Sequence, residues 1–307
     1  MSSLLALALL AVGIVLVVAG AETFLDGLLA AARRYRVSAF VVTVVLSGFE
    51  VENLAAGIAA NANGLPGAAA GTFLGGTTFL ALAVAGLGAL IAPIRTDLPG
   101  SVLLWTAAGP VPLLLLALDG LLSRLDGALL LAWFVVAVVG LARAGRSFAG
   151  GDVGVAKRYP ILRLLGGLAL LSVGGELLGE GIRATVARLG LPQTLLGNTA
   201  IAAAVEAEEL GRVAVPAKRG RGDLALGNVV GTVVHFVAFN AGLIALVRPL
   251  PLDAESLRLH LPVAVLSPAL LTVLVGFRGG LDRAAGALLV ALYVAYVVAA
   301  VWIALWS

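Results

Sequence analysis

The chain has 307 residues, 61% of them hydrophobic and 12% charged, with a formal net charge of +3 and a mean hydropathy of +1.10. A soluble domain carries about 25% charged and 45–50% apolar residues, so this composition excludes a soluble fold and points to a polytopic membrane protein. With no cysteine in the chain, disulfides and thiolate metal sites are excluded as well. The sequence pI of 9.7 is assigned to Arg and Lys of cytoplasmic loops rather than to nucleic acid, because no basic amphipathic face or aromatic platform accompanies it.

Ten apolar segments follow one another, at 3–30, 38–60, 66–93, 100–118, 125–143, 160–182, 191–211, 224–247, 260–277 and 284–306. Each is near the roughly 20 residues that a membrane span needs. The first opens without Lys or Arg and has no clear cleavage site, so it reads as a span and not as a signal peptide. Continuous apolar runs are helices in lipid, where the backbone must satisfy its own hydrogen bonds; a β-barrel would need alternating ten-residue strands. The expected fold is an all-α polytopic membrane protein with ten transmembrane helices.

The segments repeat. Residues Ser47–Leu80 return as Ala203–Phe236 at a constant offset of 156, which puts Glu50 on Glu206, Glu52 on Glu208, Leu54 on Leu210, Gly64 on Gly220, Gly71 on Gly227 and Gly75 on Gly231. The ends of the first and sixth segments also correspond, Gly20-Ala-Glu22 through Asp26-Gly27 with Gly174-Gly-Glu176 through Glu180-Gly181. The chain therefore divides into 1–145, a polar cytoplasmic linker 146–158, and 159–307. Five spans is an odd number, so the second half is expected to enter the bilayer from the opposite side, giving two inverted five-helix repeats. With the N-terminus outside, 15 of the 20 basic residues fall inside, Arg212 among them. The other 5 (Arg124, Arg183, Arg188, Arg248 and Arg258) fall outside. This bias places both termini outside an integral protein of the cytoplasmic membrane. Lys218, Arg219 and Arg221 are read as orientation signals, with a lipid-responsive regulatory patch as the other possibility.

Ionisable residues inside spans cost about 2.5–3.5 kcal/mol each on insertion scales and mark sites or pathways. The second and seventh segments carry Glu50, Glu52, Glu206, Glu208 and Glu209, with Asn53 beside them. Positions three apart share a helix face, which pairs Glu50 with Asn53 and Glu206 with Glu209. Glu52 and Glu208 point away from those faces, to a second wall or a break in the helix. The plainer alternative is that the acids pair with Arg or cap helix ends, and the one basic residue near them within a span is Arg212. Gly71, Gly75, Gly76, Gly227 and Gly231 fit either close helix packing or an opened backbone. Thr72, Thr77, Thr78, Asn228 and Thr232 add oxygens, and His235 is either a packing residue or a proton relay.

On these motifs the chain resembles the sodium/calcium exchanger and cation/proton exchanger superfamily. That family carries Gly-Thr-Ser-x-Pro-Glu in each half and, eighteen residues on, Gly-Asn-x-x-Gly-Ser-x-x-x-Asn/Asp. Gly227-Asn-Val-Val-Gly231-Thr232 fits the second block, and Gly71-Thr-Phe-Leu-Gly75-Gly76 fits it in part. The family's motif Glu falls on Glu209 and Asn53, its Ser on Glu206 and Glu50, its Pro on Glu208 and Glu52, and its later Asn/Asp on Phe236 and Leu80. The resemblance implies ten spans in two inverted halves and alternating access at a midplane site. It also implies secondary active exchange of Ca²⁺, or a related cation, against Na⁺ or H⁺. The expected ligands are Glu50, Asn53, Glu206 and Glu209, with Glu52, Glu208, Thr232, Asn228 and Thr77 close by. Oxygen ligands of this kind suit a hard cation. So many like charges cannot all ionise in an empty apolar cavity, so loss of cation favours proton uptake. The alternatives are a Na⁺/H⁺ or Mg²⁺ exchanger of the same fold and a passive cation channel. No Gly-x-x-x-x-Gly-Lys-Ser/Thr, His-Glu-x-x-His or Ser/His pair occurs, so neither ATP-driven transport nor an intramembrane enzyme is expected. No cofactor is expected beyond the transported cation, and the expected partners are membrane lipid and transported cations.

Overall fold

The structure is a computed structural model that describes residues 3–48, 50–145, 159–186 and 207–306. The first half begins with α1 (Ser3–Tyr35), α2 (Ala39–Leu46) and α3 (Val51–Ala62), and α4 (Pro66–Thr78) runs through a π-helical turn, Phe79–Val84, into α5 (Ala85–Ile91). Strand β1 (Ile94–Arg95), α6 (Gly100–Ala108), α7 (Val111–Leu116), β2 (Leu121–Leu122) and α8 (Arg124–Gly145) complete it. The second half holds α9 (Pro160–Val186) and α10 (Ala207–Lys218), then α11 (Gly222–Val234), a π-helical turn His235–Asn240 and α12 (Ala241–Val247). It ends with β3 (Leu250–Pro251), a π-helical turn Ser256–His260, α13 (Leu261–Arg278), β4 (Gly280–Leu281) and α14 (Arg283–Trp306).

The repeat in the sequence is a repeat of elements. Adding 156 to the bounds of α3, α4, the first π-helical turn, α5 and β1 returns the bounds of α10, α11, the second π-helical turn, α12 and β3. Equivalent parts also pair reciprocally. Strand β1 pairs antiparallel with β4, Ile94 opposite Leu281, and β2 pairs with β3, Leu122 opposite Leu250. A Cβ on Gly86 would lie 2.8 Å from the Gly286 carbonyl oxygen, and one on Gly127 would lie 2.6 Å from that of Gly242.

Helices α1 and α9 lie together through glycines spaced by seven, a spacing that keeps one face bare and lets backbones approach. A Cβ on Gly13, Gly20 or Gly27 would lie 2.5–2.8 Å from the backbone nitrogen of Leu178, Leu171 or Leu164 respectively. The two series run in opposite order, so these helices are antiparallel.

Among the described residues seven helical stretches are long and apolar enough to cross a membrane: Leu5–Tyr35, Pro66–Ile91, Arg124–Gly145, Pro160–Gly181, Gly222–Val247, Ser256–Arg278 and Arg283–Ile303. The expected span at 100–118 is a shorter apolar stretch, Gly100–Leu116, divided at Gly109-Pro110, where proline has no N–H to continue the helical ladder. The span expected at 38–60 is divided into α2 and α3. The one expected at 191–211 lies mostly outside the described residues. Helix α11 is buried along its whole length and α4 along the face that holds Phe73 and Thr77, whereas α1, α8 and α14 present Leu and Val outwards. This is the arrangement of central helices carrying polar groups inside a ring of lipid-facing ones.

Candidate functional site

The break between α2 and α3 builds one wall of the site. Helix α2 ends at Leu46, and Glu50 stands at the start of α3 with φ −93° and ψ 87°, outside the helical region. A helix that ends leaves its last carbonyls without helical partners. Here the Ser47 carbonyl accepts hydrogen bonds from Thr232 Oγ1 at 3.1 Å and from an Arg212 terminal nitrogen at 3.3 Å. Gly231 lets α11 come this close, since a Cβ there would meet Ser47 Oγ and the Val44 backbone.

Three buried carboxylates meet at this break. Glu50, Glu208 and Glu209 each offer one oxygen, all within 4.8 Å of one another. Asn53 donates to Glu50, and Asn228 donates from α11 to Glu209. Ser172 of α9 donates to Glu208 at 3.4 Å. Arg212 closes the group: its guanidinium bonds Glu209 and, at 3.1 Å, Glu208, with all three side chains buried.

The expected site residues divide accordingly. Glu50, Asn53, Glu208, Glu209, Asn228 and Thr232 are brought together, and Glu208 stands inside the acidic group although its helical phase put it on a second wall. Thr77 is buried, but its hydroxyl donates to Phe73 O of its own helix at 2.7 Å, and among the described residues no hydrogen bond links it to the acids. Glu206 and the Glu52 side chain lie outside the described residues. Of the glycines, Gly76, Gly227 and Gly231 pack against Phe236, Phe40 and the Ser47 region, whereas a Cβ on Gly71 or Gly75 would meet nothing within 4 Å. His235 Nδ1 lies 2.8 Å from Gly231 O, and the ring packs edge-on against Phe134.

Arg212 requires a correction. It was counted with the inside charges that orient the chain, but it is buried and paired, so that set falls from 15 to 14. For Glu208 and Glu209 the plainer alternative, pairing with Arg, is the geometry seen. The signal was present in the sequence: Arg212 follows Glu209 by three and Glu208 by four, the spacings that face one another on a helix. Ser47 and Ser172 carried no comparable signal, since Ser47 meets Arg212 and Ser172 meets Glu208 only through helix packing.

The description "Sodium/calcium exchanger protein" fits residues 5–142 and 159–302. The chain belongs to this family. It is 26% identical over 309 residues to the putative antiporter CaxA of Alkalimonas amylolytica, covering 93% of this chain and 95% of that one. It is 28% identical over 272 residues to the inner membrane protein YrbG of Escherichia coli strain K12, covering 81% and 82%. A solved structure of the sodium-calcium exchanger NCX_Mj superposes with a TM-score of 0.83 at 24% identity, covering 97% of this chain and 99% of that one. This last likeness is one of fold. Membership makes the chain an integral membrane protein of a cation-antiporter family.

Proposed function

We propose that this protein is a secondary active antiporter that exchanges Ca²⁺ against Na⁺ or H⁺ by alternating access. The observation that carries this is the meeting of Glu50 from the first half with Glu208 and Glu209 from the second, buried and within 4.8 Å of one another. A hard cation takes six to eight oxygens, and a cluster of carboxylates supplemented by amide, hydroxyl and carbonyl oxygens is the kind of set that holds it. Ligands drawn from both halves release their ion when the halves rock past each other. The reciprocal strand and glycine pairings, with α1 antiparallel to α9, support two inverted five-helix repeats. In this reading Glu50, Asn53, Glu206, Glu208, Glu209, Asn228 and Thr232 contribute ligands, and both termini lie outside the cytoplasmic membrane.

Flux into proteoliposomes with imposed Na⁺ or H⁺ gradients, across a panel of Ca²⁺, Mg²⁺, Mn²⁺ and Na⁺, tests the proposal. Uphill Ca²⁺ movement driven by either gradient is the expected result. Downhill leak alone would leave a passive channel, and gradient-driven flux of another cation would replace Ca²⁺ as the substrate.

A further inference from the structure

Two charges separate the halves at this site: Glu209 stands at the position of Asn53, and a guanidinium follows three residues later. At the position of Arg212 the first half has Ala56, 156 residues earlier. The guanidinium therefore has no counterpart, and it lies where the second half's two described carboxylates would otherwise face a cation. It is bonded through its terminal nitrogens to Glu208, Glu209 and the Ser47 carbonyl. Its Nε has no hydrogen-bond partner among the described residues, so its donors are only partly engaged.

The surroundings offer more oxygens than the guanidinium uses. Asn228 Oδ1 and Ser47 Oγ are buried beside it, both residues 1% exposed, and neither atom has a hydrogen-bond partner among the described residues. A buried amide or hydroxyl oxygen left without a partner is costly, and such an oxygen is available to a cation. Each residue is already tied to the group, Asn228 through Glu209 and Ser47 through its carbonyl. The guanidinium already touches a second partner besides the acids: its Cζ stands 5.8 Å from the centroid of the Phe24 ring, which with Thr43 and Asn228 lines the wall beside it. An aromatic face receives a guanidinium favourably.

We infer that Arg212 is a tethered cation: it occupies the site's carboxylates between transport events and leaves them for a transported cation to bind. This rests on the exchanger reading above and deepens it. A bound ion and the guanidinium repel each other at contact distance, so they compete for Glu208 and Glu209. The competition lowers affinity and speeds release, because an arm attached to α10 reoccupies the acids as the ion departs.

Equilibrium binding of ⁴⁵Ca²⁺ to the purified full-length chain tests this, with wild type compared to Arg212→Gln. The expected result is a Kd about tenfold lower or more in the variant, the size of effect seen when close charge pairs are altered. Added methylguanidinium should raise the variant's Kd competitively and leave that of wild type unchanged, an effect that a purely structural role would not produce. A folded variant that binds Ca²⁺ no more tightly than wild type overturns the inference. Should Arg212→Gln fail to fold, Arg212→Lys keeps the charge on a point-like ammonium that cannot fork to two carboxylates. Its Kd should still fall below that of wild type, and an equal or higher value overturns the inference. The two readings fail separately. Wild-type flux without a Kd change removes only the tethered cation, whereas tighter binding by the variant with no gradient-driven flux of any cation removes the exchanger and leaves the competition standing.

Discussion

Glu50 stands at the break between α2 and α3, where its backbone is non-helical and the residue is 6% exposed. A carboxylate in such a place costs several kcal/mol unless it meets a cation, a proton or donors. Asn53 supplies one donor from the next turn. Replacing Glu50 by Gln keeps the size and removes the charge, so the chain should remain folded. Exchange should fall by roughly tenfold or more, because ligand charge count tunes cation affinity. Glu209→Gln should behave alike in flux. Flux measured alongside the melting temperature separates loss of ligand from loss of fold, and unchanged flux in both variants would remove the two acids from the site.

At the level of elements, the repeat is most exact where helices α3 and α10 stop. Gly64 has φ +75° and Gly220 has φ +70°. In each case the residue after the glycine donates to a carbonyl five residues back, Leu65 to Ala60 at 2.9 Å and Arg221 to Pro216 at 2.8 Å. This is the left-handed glycine ending that closes a helix and reverses the chain. A Cβ on either glycine meets nothing within 4 Å, so Ala would introduce only the backbone cost. Gly64→Ala and Gly220→Ala should each lose about 1–2 kcal/mol of stability, and the double variant should lose close to the sum. Denaturant or thermal melts in detergent measure this, and a neutral substitution at either site would contradict the backbone account. The glycine match was readable in the sequence. That it is a helix terminus was not, because the same two glycines would serve a packing seam equally well.

For the whole molecule, the short strands bear on how the chain threads the bilayer. The β1–β4 pair joins the loops after the third and ninth expected spans, and the β2–β3 pair joins those after the fourth and eighth. Each pair brings together loops an even number of spans apart, as alternating crossings require. With Arg212 withdrawn, the expected ten-span order still puts 14 basic residues on one side against 5 on the other. The absence of cysteine makes the orientation directly testable. Ser147→Cys in the linker should react only with reagent on the cytoplasmic side, and Ser2→Cys and Ser307→Cys only with reagent outside. A linker labelled from the outside would reverse the assignment.

By itself the sequence determined the solvent of this protein, the helical character of its segments and the doubling at an offset of 156. These are local properties: apolar run length, and the recurrence of acids and glycines along the chain. Tertiary structure alone decided that the 38–60 segment breaks at Glu50 and that Glu50 meets Glu208 and Glu209. Each depends on helix rotation and on which backbones can approach across more than a hundred residues, as Gly231 allows at Ser47. Spacing places residues on a helix face, but packing selects what that face meets.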